Sequence, residues 1–115
     1  MQTPAALFKA LSEETRIRLV ALLAGRERCV CDLVAVLDLP QSTISRHLTI
    51  LKNAGWVISR RKGVWMYYRL AEPRNPLHQG LLAALQSNLP QVKSLAADRK
   101  KMTAYLKSKP ATRCE

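Results

Sequence analysis

The chain has 115 residues, which is enough for one domain with one hydrophobic core. It carries 19 lysine and arginine residues against 8 acidic ones, a net charge of +11, and 48% of its residues are hydrophobic. That apolar fraction argues against a disordered protein, and the charge points to a polyanionic partner. The longest apolar run, residues 19–24, is too short to span a membrane, and the start of the chain lacks a signal-peptide pattern, so we expect a cytoplasmic protein without a membrane partner.

The positive charge is concentrated in the middle of the chain. Residues 41–70 contain six basic residues and no acidic one, whereas residues 1–40 contain five of each. A solvated surface would spread its charges, while a phosphate-binding surface gathers them. Residues 41–70 are therefore the predicted binding surface for a polyanion.

Four helices are predicted in the first half of the chain. The first begins at Thr3-Pro4, and the second lies between an N-cap at Ser12 and Gly25. A short helix from about Val30 to Leu37 follows, and a tight turn leads to a longer one from about Gln41 to Ala54.

From Trp56 the hydrophobic period changes from that of a helix to that of a strand. Residues 57–61 and 64–70 read as two strands, with Lys62-Gly63 as the turn of a hairpin. Two leucine-rich helices follow, one starting at Asn75-Pro76 and one at Pro90. The predicted fold class is therefore mainly α with a β-hairpin (α+β).

The domain boundaries follow from the same pattern. The last helix is predicted to end at about Lys107, so residues 1–107 form a single domain. Residues 108–115 are predicted to be a flexible C-terminal tail.

Two short helices, a tight turn and then a basic hairpin form the order of a winged helix-turn-helix. In that fold the second helix enters the major groove of double-stranded DNA and the hairpin lies near the backbone. The predicted DNA-binding residues are hydrogen-bonding or basic and lie at the start of the second helix and at the hairpin: Gln41, Ser42, Thr43, Ser45, Arg46, His47, Arg60, Arg61 and Lys62. Taken alone, His47 also fits a structural role.

Four segments together resemble the ArsR/SmtB family of metalloregulatory transcriptional repressors: Leu11–Leu19, Pro40–Leu48, Leu51–Gly55 and Gly63–Leu70. The resemblance implies a winged helix-turn-helix homodimer built on the first helix and the helices after the hairpin. It also implies binding to an imperfect palindromic operator and release by a metal ion or metalloid.

Cys29-Val-Cys31-Asp-Leu33 resembles the motif of the family's arsenic/antimony and cadmium/lead sensors. Thiolates select soft ions, and trivalent arsenic binds thiols strongly. A helix N-terminus with Arg26 and Arg28 nearby is expected to lower a thiol pKa. Residues i and i+2 of a regular helix point about 200° apart, so both sulfurs are expected to bind one atom only if the first turn is distorted.

The sequence leaves open which group would be the third ligand of the inducer. Val34 stands where arsenic sensors with this motif often carry another cysteine. Cys114, a water or small thiol are alternatives, and an organoarsenical would need two thiolates alone. Zinc and nickel sensors of the family use carboxylates and histidines on the last helix, where the sequence offers only Asp98, so those ions are disfavoured.

The leading hypothesis is a DNA-binding repressor of an arsenic-resistance operon that is released when As(III) or Sb(III) binds cysteine thiolates. Alternatives are a cadmium/lead or thiol-redox sensor of the same fold and a constitutive architectural DNA-binding protein. We expect neither an enzyme nor a catalytic cofactor, because no convergent set of acid, base and nucleophile is apparent.

Overall fold

The computed structural model describes residues 3–109. The helices and strands, in chain order, are α1 (Pro4–Ala10), α2 (Glu14–Leu23), β1 (Arg28–Cys29), α3 (Val30–Leu37), α4 (Gln41–Ala54), β2 (Val57–Lys62), β3 (Trp65–Leu70), α5 (Pro76–Asn88), a 3-10 turn (Leu89–Gln91) and α6 (Lys93–Ser108). The fold is mainly α with a β-hairpin, as predicted. Within this part of the chain no helix has the length and apolarity needed to cross a membrane. Most of the predicted tail, residues 110–115, lies outside it.

Side-chain caps fix where several helices begin. The Thr3 hydroxyl accepts a hydrogen bond from the Ala6 amide at 3.1 Å, with Pro4 in the first turn of α1. The prediction of Ser12 as the cap of α2 is wrong. Ser12 donates back to the Lys9 carbonyl at 2.7 Å, which closes α1, and Glu13 Oε1 accepts from the Arg16 amide at 3.1 Å instead.

The connection between α3 and α4 is as tight as the sequence predicts. Asp38 adopts the left-handed conformation (φ 56°) and its amide donates to the Val34 carbonyl at 2.9 Å, which ends α3. Helix α4 begins three residues after Asp38. Gly55 (φ 97°) ends α4 in the same conformation, which a residue with a side chain adopts only at a cost.

The sheet has three antiparallel strands in the order β1-β3-β2, one more than predicted. The predicted turn at Lys62-Gly63 is wrong by one residue: Lys62 pairs with Trp65, so the turn falls at Gly63 and Val64. Within β3, Tyr68 is buried and Arg69 is exposed. The additional strand, β1, pairs with the other edge of β3.

The core is continuous from α1 to α6. Trp56 is fully buried, its indole N–H donates to the Leu7 carbonyl at 2.9 Å, and its ring meets the edge of His78 at 4.9 Å between centroids. Helix α6 packs on α2 and α3 and buries Leu95 and Met102. Helix α6 therefore supports α2 and α3, the two helices that come directly before α4.

Helix α6 is tied to α2 by a two-point ion pair. Arg18 Nε and Nη2 donate to Asp98 Oδ2 and Oδ1 at 2.8 and 2.9 Å, and the Asp98 carboxylate is buried. This contact holds the pKa of Arg18 above its usual range. Asp98 is thus committed to a structural role.

We expect Asp98→Asn to destabilise the fold, because it leaves the Arg18 charge half-buried without its partner. The free energy of unfolding should fall by roughly 2 kcal/mol in urea titrations. Glu72→Gln, which removes an exposed carboxylate that forms no ion pair within residues 3–109, serves as the control and should change the free energy of unfolding by less than about 0.5 kcal/mol. Equal effects would contradict a structural role for the ion pair.

Candidate functional site

The first half of α4 presents a polar face. Gln41, Ser42 and Arg46 are exposed, and Thr43 and Ser45 are half-buried beside them. The opposite face is apolar and fully buried, and consists of Ile44, Leu48 and Leu51. The helix is therefore anchored by one side and offers hydrogen-bonding groups on the other.

His47 does not lie on that polar face, which corrects the sequence prediction. It is 8% exposed, and its Nδ1 lies 3.1 Å from Nη1 of Arg16, whose Nε donates to the Ala10 carbonyl at 2.7 Å. The reason is helical spacing, since position 47 follows the buried Ile44 by three residues. His47 orients α4 against α2.

The hairpin carries the three predicted basic residues, but they are not equivalent. Arg61 and Lys62 are exposed at its tip. Arg60 is held by Glu27, with both Nε–Oε2 and Nη2–Oε1 at 2.7 Å, and its guanidinium lies 5.0 Å from the centre of the Tyr67 ring. This ion pair lowers the pKa of Glu27 and raises that of Arg60. Glu27 was missed by sequence reasoning because it contacts a residue 33 positions away.

The structure brings the sulfurs of Cys29 and Cys31 within 3.0 Å of each other. Cys29 is the N-cap of α3 and has an extended backbone (φ −75°, ψ 145°), while Cys31 lies in the first turn of the helix. The expectation that the helix must be distorted is therefore wrong. The angle of about 200° between side chains i and i+2 applies when both residues are helical, and Cys29 is not. The two sulfurs can contact one atom without unwinding α3.

The electrostatic prediction for these thiols also needs correction. Cys29 is only 1% exposed, and burial raises its thiol pKa, with the nearby Asp32 carboxylate adding to the rise. Arg28 does not offset this, since its Nε is turned to the Leu22 carbonyl at 3.1 Å. Desolvation outweighs the helix N-terminus at Cys29.

Asp32 connects the thiol pair to the end of α6. Its buried carboxylate accepts from Lys109 Nζ at 3.1 Å, and Cys31 Sγ lies 4.0 Å from its Oδ1. The ammonium group of Lys109 acts on Cys29 in the opposite sense to Asp32 and lowers its pKa. Cys114, the predicted third ligand, lies outside the described residues.

Other ligand sets are not assembled in residues 3–109. No group of three or more histidine, cysteine, aspartate or glutamate side chains is placed there to hold a metal ion. Asp98, the one carboxylate of α6, is engaged by Arg18. The thiol pair is thus the candidate inducer site of this part of the chain.

The cysteine pair is connected to both the hairpin and α4. Cys29 pairs with Tyr67 and Arg28 with Tyr68 in the β1–β3 ladder, so the site is joined directly to the hairpin. Through Cys31 it begins α3, which packs on α4. Sequence reasoning missed the connection through β1, because it depends on strand pairing.

These features define a winged helix-turn-helix regulator, with α3 and α4 as the helix pair and β2–β3 as the wing. The model for bacterial regulatory proteins of the arsR family matches residues 13–59. The arsenic resistance transcriptional regulator ArsR2 of Pseudomonas putida is 46% identical over 91 residues, which cover 76% of this chain and 78% of that protein. The chain belongs to the ArsR family of transcriptional regulators.

Two further similarities agree with this assignment. The arsenical resistance operon repressor of Escherichia coli is 48% identical over 69 residues, which are 59% of each chain. The homodimeric winged helix-turn-helix DNA-binding domain of a Mycobacterium bovis protein superposes with a TM-score of 0.61 at 31% identity, covering 77% of this chain and 83% of that one. These relatives are regulators with a DNA-binding fold, and this chain is likewise not an enzyme.

Replacing Lys109 tests the electrostatics of the site. In a chain with Cys31 and Cys114 changed to Ser, Cys29 is the one thiol, and its titration midpoint should lie above the ordinary value of about 8.5. Lys109→Met should raise the midpoint further, because it removes a nearby positive charge. Thiolate absorbance as a function of pH measures this.

Lys107→Met is the matched control, since it removes the same charge from an exposed position of α6. It should leave the midpoint where it was. A midpoint that moves equally in both variants would show that the Asp32 contact is irrelevant to Cys29.

Proposed function

We propose that this protein represses an arsenic-resistance operon and leaves its operator when As(III) or Sb(III) binds Cys29 and Cys31. The observation that carries the proposal is the 3.0 Å approach of the two sulfurs at the start of the first helix of the helix-turn-helix. Two cysteine sulfurs so close can, in the reduced protein, bind a single soft atom. The names of the similar regulators support arsenic as that atom.

The raised pKa of Cys29 is compatible with an arsenite inducer. Arsenite at neutral pH is the uncharged trihydroxide, and each thiol that binds replaces one hydroxyl, which leaves as water together with the thiol proton. A protonated, buried thiol can therefore react without first becoming a free thiolate. A divalent ion such as cadmium brings no hydroxyl to take up the proton, so burial disfavours it more.

Cys114 is the proposed third ligand for an inorganic inducer. The contact of Lys109 with Asp32 holds the end of α6 beside the thiol pair. Cys114 is five positions beyond Lys109, and a fully extended chain of that length reaches about 17 Å. A third sulfur is thus within range. An organoarsenical would need Cys29 and Cys31 alone.

The DNA partner is assigned to the polar face of α4 and to the wing. Gln41 and Arg46 are long, exposed side chains that can pair with base edges, and Ser42, Thr43 and Ser45 supply shorter contacts. Arg61 and Lys62 are placed to neutralise phosphates. His47 contributes by holding the angle of α4, and Glu27 offsets the charge that Arg60 would offer to a phosphate.

We propose that the protein binds its operator as a homodimer. Phe8 of α1 is 53% exposed and Leu77 of α5 is 42% exposed, so both helices leave apolar side chains uncovered. A second copy of the chain would cover them. The similar M. bovis domain is homodimeric, which supports the same assembly here.

Release by arsenite is the decisive test. An operator selected by the protein from a random duplex library is labelled, and its fluorescence anisotropy is followed during titration with arsenite under reducing conditions. Stoichiometric arsenite should release the DNA from the wild type, and Cys29→Ser and Cys31→Ser should bind DNA normally but fail to release it. Cys114→Ser should weaken the response to arsenite and leave that to methylarsenite unchanged.

The remaining hypotheses predict different titrations. A cadmium/lead sensor would respond to those ions at lower concentration than to arsenite, and a redox sensor would respond to peroxide. An architectural protein would stay bound in every titration. Any of these three results would refute the arsenic assignment.

Substitutions of Arg61 and of Glu27 should change the salt dependence of DNA binding in opposite directions. With a random-sequence duplex, Arg61→Ala should reduce the slope of log K against log salt by about 0.9 per protomer, because one phosphate contact is lost. Glu27→Gln should make the slope steeper, by up to about 0.9, because it frees Arg60 to meet a phosphate. Glu72→Gln removes the same charge without freeing an arginine, and a slope as steep as that of Glu27→Gln would contradict the prediction.

A further inference from the structure

A cavity of about 400 Å³ lies where the end of α2, the end of α5 and the first half of α6 meet. Its size is within the range of small-molecule sites. Most of its wall is apolar and is formed by Leu22, Leu85, Leu89, Pro90 and Leu95. The cavity is separate from the thiol pair, since neither Cys29 nor Cys31 lines it.

The charged groups of this cavity are all positive. Among residues 3–109, Arg28 and Arg99 line it and no acidic side chain does. The Arg28 side chain donates to the Leu22 carbonyl and forms no ion pair with a described carboxylate, and the Arg99 side chain has no hydrogen-bond or ion-pair partner there. Burial lowers the pKa of Arg28, and the charge of Arg26 lowers it further. Asp32 raises the pKa of Arg28 in partial compensation, but no carboxylate lies in the wall of the cavity beside the two arginines.

A neighbouring cavity shows that this imbalance is specific. It has a volume of about 350 Å³ and shares Gly25 and Gln86 with the first. Its lining includes two arginines and two glutamates, so its charges are balanced: Arg26, Arg69, Glu27 and Glu72. The fold therefore supplies carboxylates to one cavity and leaves the other without them.

We propose that the cavity lined by Arg28 and Arg99 binds a small monocarboxylate with an aliphatic body, as a second effector site. The guanidinium groups would hold the carboxylate, since arginine donates paired N–H bonds to such groups. The leucine side chains would cover the hydrocarbon chain. This goes beyond the arsenic response, because neither thiol takes part in the binding.

The position of Arg28 gives such a ligand a route to the DNA surface. Arg28 is the β1 residue that precedes Cys29, and it pairs with Tyr68 of the wing. A carboxylate bound to Arg28 would therefore act on the same strand that carries the first thiol. Occupancy of the cavity favours whichever arrangement of β1 keeps the two arginines together.

Isothermal titration calorimetry with octanoate tests the proposal. The wild type should show saturable binding of one octanoate per protomer, weakened by added salt. Arg99→Met should lower the affinity about tenfold, the ordinary loss for one charge-assisted hydrogen bond. Lys101→Met, which removes the same charge from α6 outside the cavity, should bind like the wild type.

Two ligand controls separate the charge from the hydrocarbon. Octan-1-ol lacks the carboxylate and acetate lacks the aliphatic body, so both should bind at least tenfold more weakly than octanoate. Arg28→Met should also weaken binding. If loss of the bond to Leu22 unfolds that variant, as a thermal melt would show, the exposed Arg99 decides the question alone.

The proposal is overturned if octanoate gives no saturable heat, if Arg99→Met and Lys101→Met bind it equally, or if octan-1-ol binds as tightly. Its failure is distinct from failure of the arsenic switch. Cys29→Ser should bind octanoate like the wild type while it fails to respond to arsenite, so the two sites are scored independently in one variant.

Discussion

The pairing of two residues, Arg28 and Cys29, with the edge of β3 determines how the candidate site is built. This pairing keeps Cys29 extended up to the first residue of α3. An extended residue followed by a helical turn places side chains i and i+2 on the same side, which a continuous helix would not do. The short sulfur-to-sulfur distance is thus a consequence of sheet formation.

The same pairing places the thiol pair against the wing. Tyr67, the partner of Cys29, also lies under the Arg60 guanidinium that Glu27 holds. Glu27 and Cys29 are two residues apart, so one short segment contacts the wing through its backbone and through an ion pair. A change at the cysteine pair can reach the hairpin through this backbone pairing and this ion pair, in addition to the route through α3 and α4.

Local features of this fold could be predicted from the sequence, and the bounds of α3 and α4 agree with the structure because periodicity and turn residues specify them. Strand β1 could not be predicted, since two residues have no period and their pairing depends on β3. The prediction of a lowered pKa for Cys29 was wrong for a related reason. Burial is a tertiary property, while the helix N-terminus and neighbouring arginines are visible in the sequence. Asp32 and Lys109 are 77 positions apart, and nothing local indicates their contact.

The wrong prediction of His47 as a DNA contact could have been avoided from the sequence. Its spacing from Ile44, Leu48 and Leu51 is that of the buried face of α4, and the helical period alone assigns it to the core side. A basic or polar residue in a reading helix is a DNA contact only if its position also falls on the exposed face. Arg46, one residue earlier, satisfies that condition.

A preformed pair of sulfurs constrains how the proposed switch can work. An inducer shifts an equilibrium only by its difference in affinity between the two states. Because the sulfurs of Cys29 and Cys31 are already close, this difference must come from what the bound inducer displaces around them. The ion pair between Asp32 and Lys109 is the contact beside the thiols that a third ligand from the chain's end would disturb. The release of DNA then depends on such displaced contacts and not on the two sulfurs coming together. By the same linkage, bound operator must weaken the affinity for the inducer by the factor with which the inducer weakens binding to the operator.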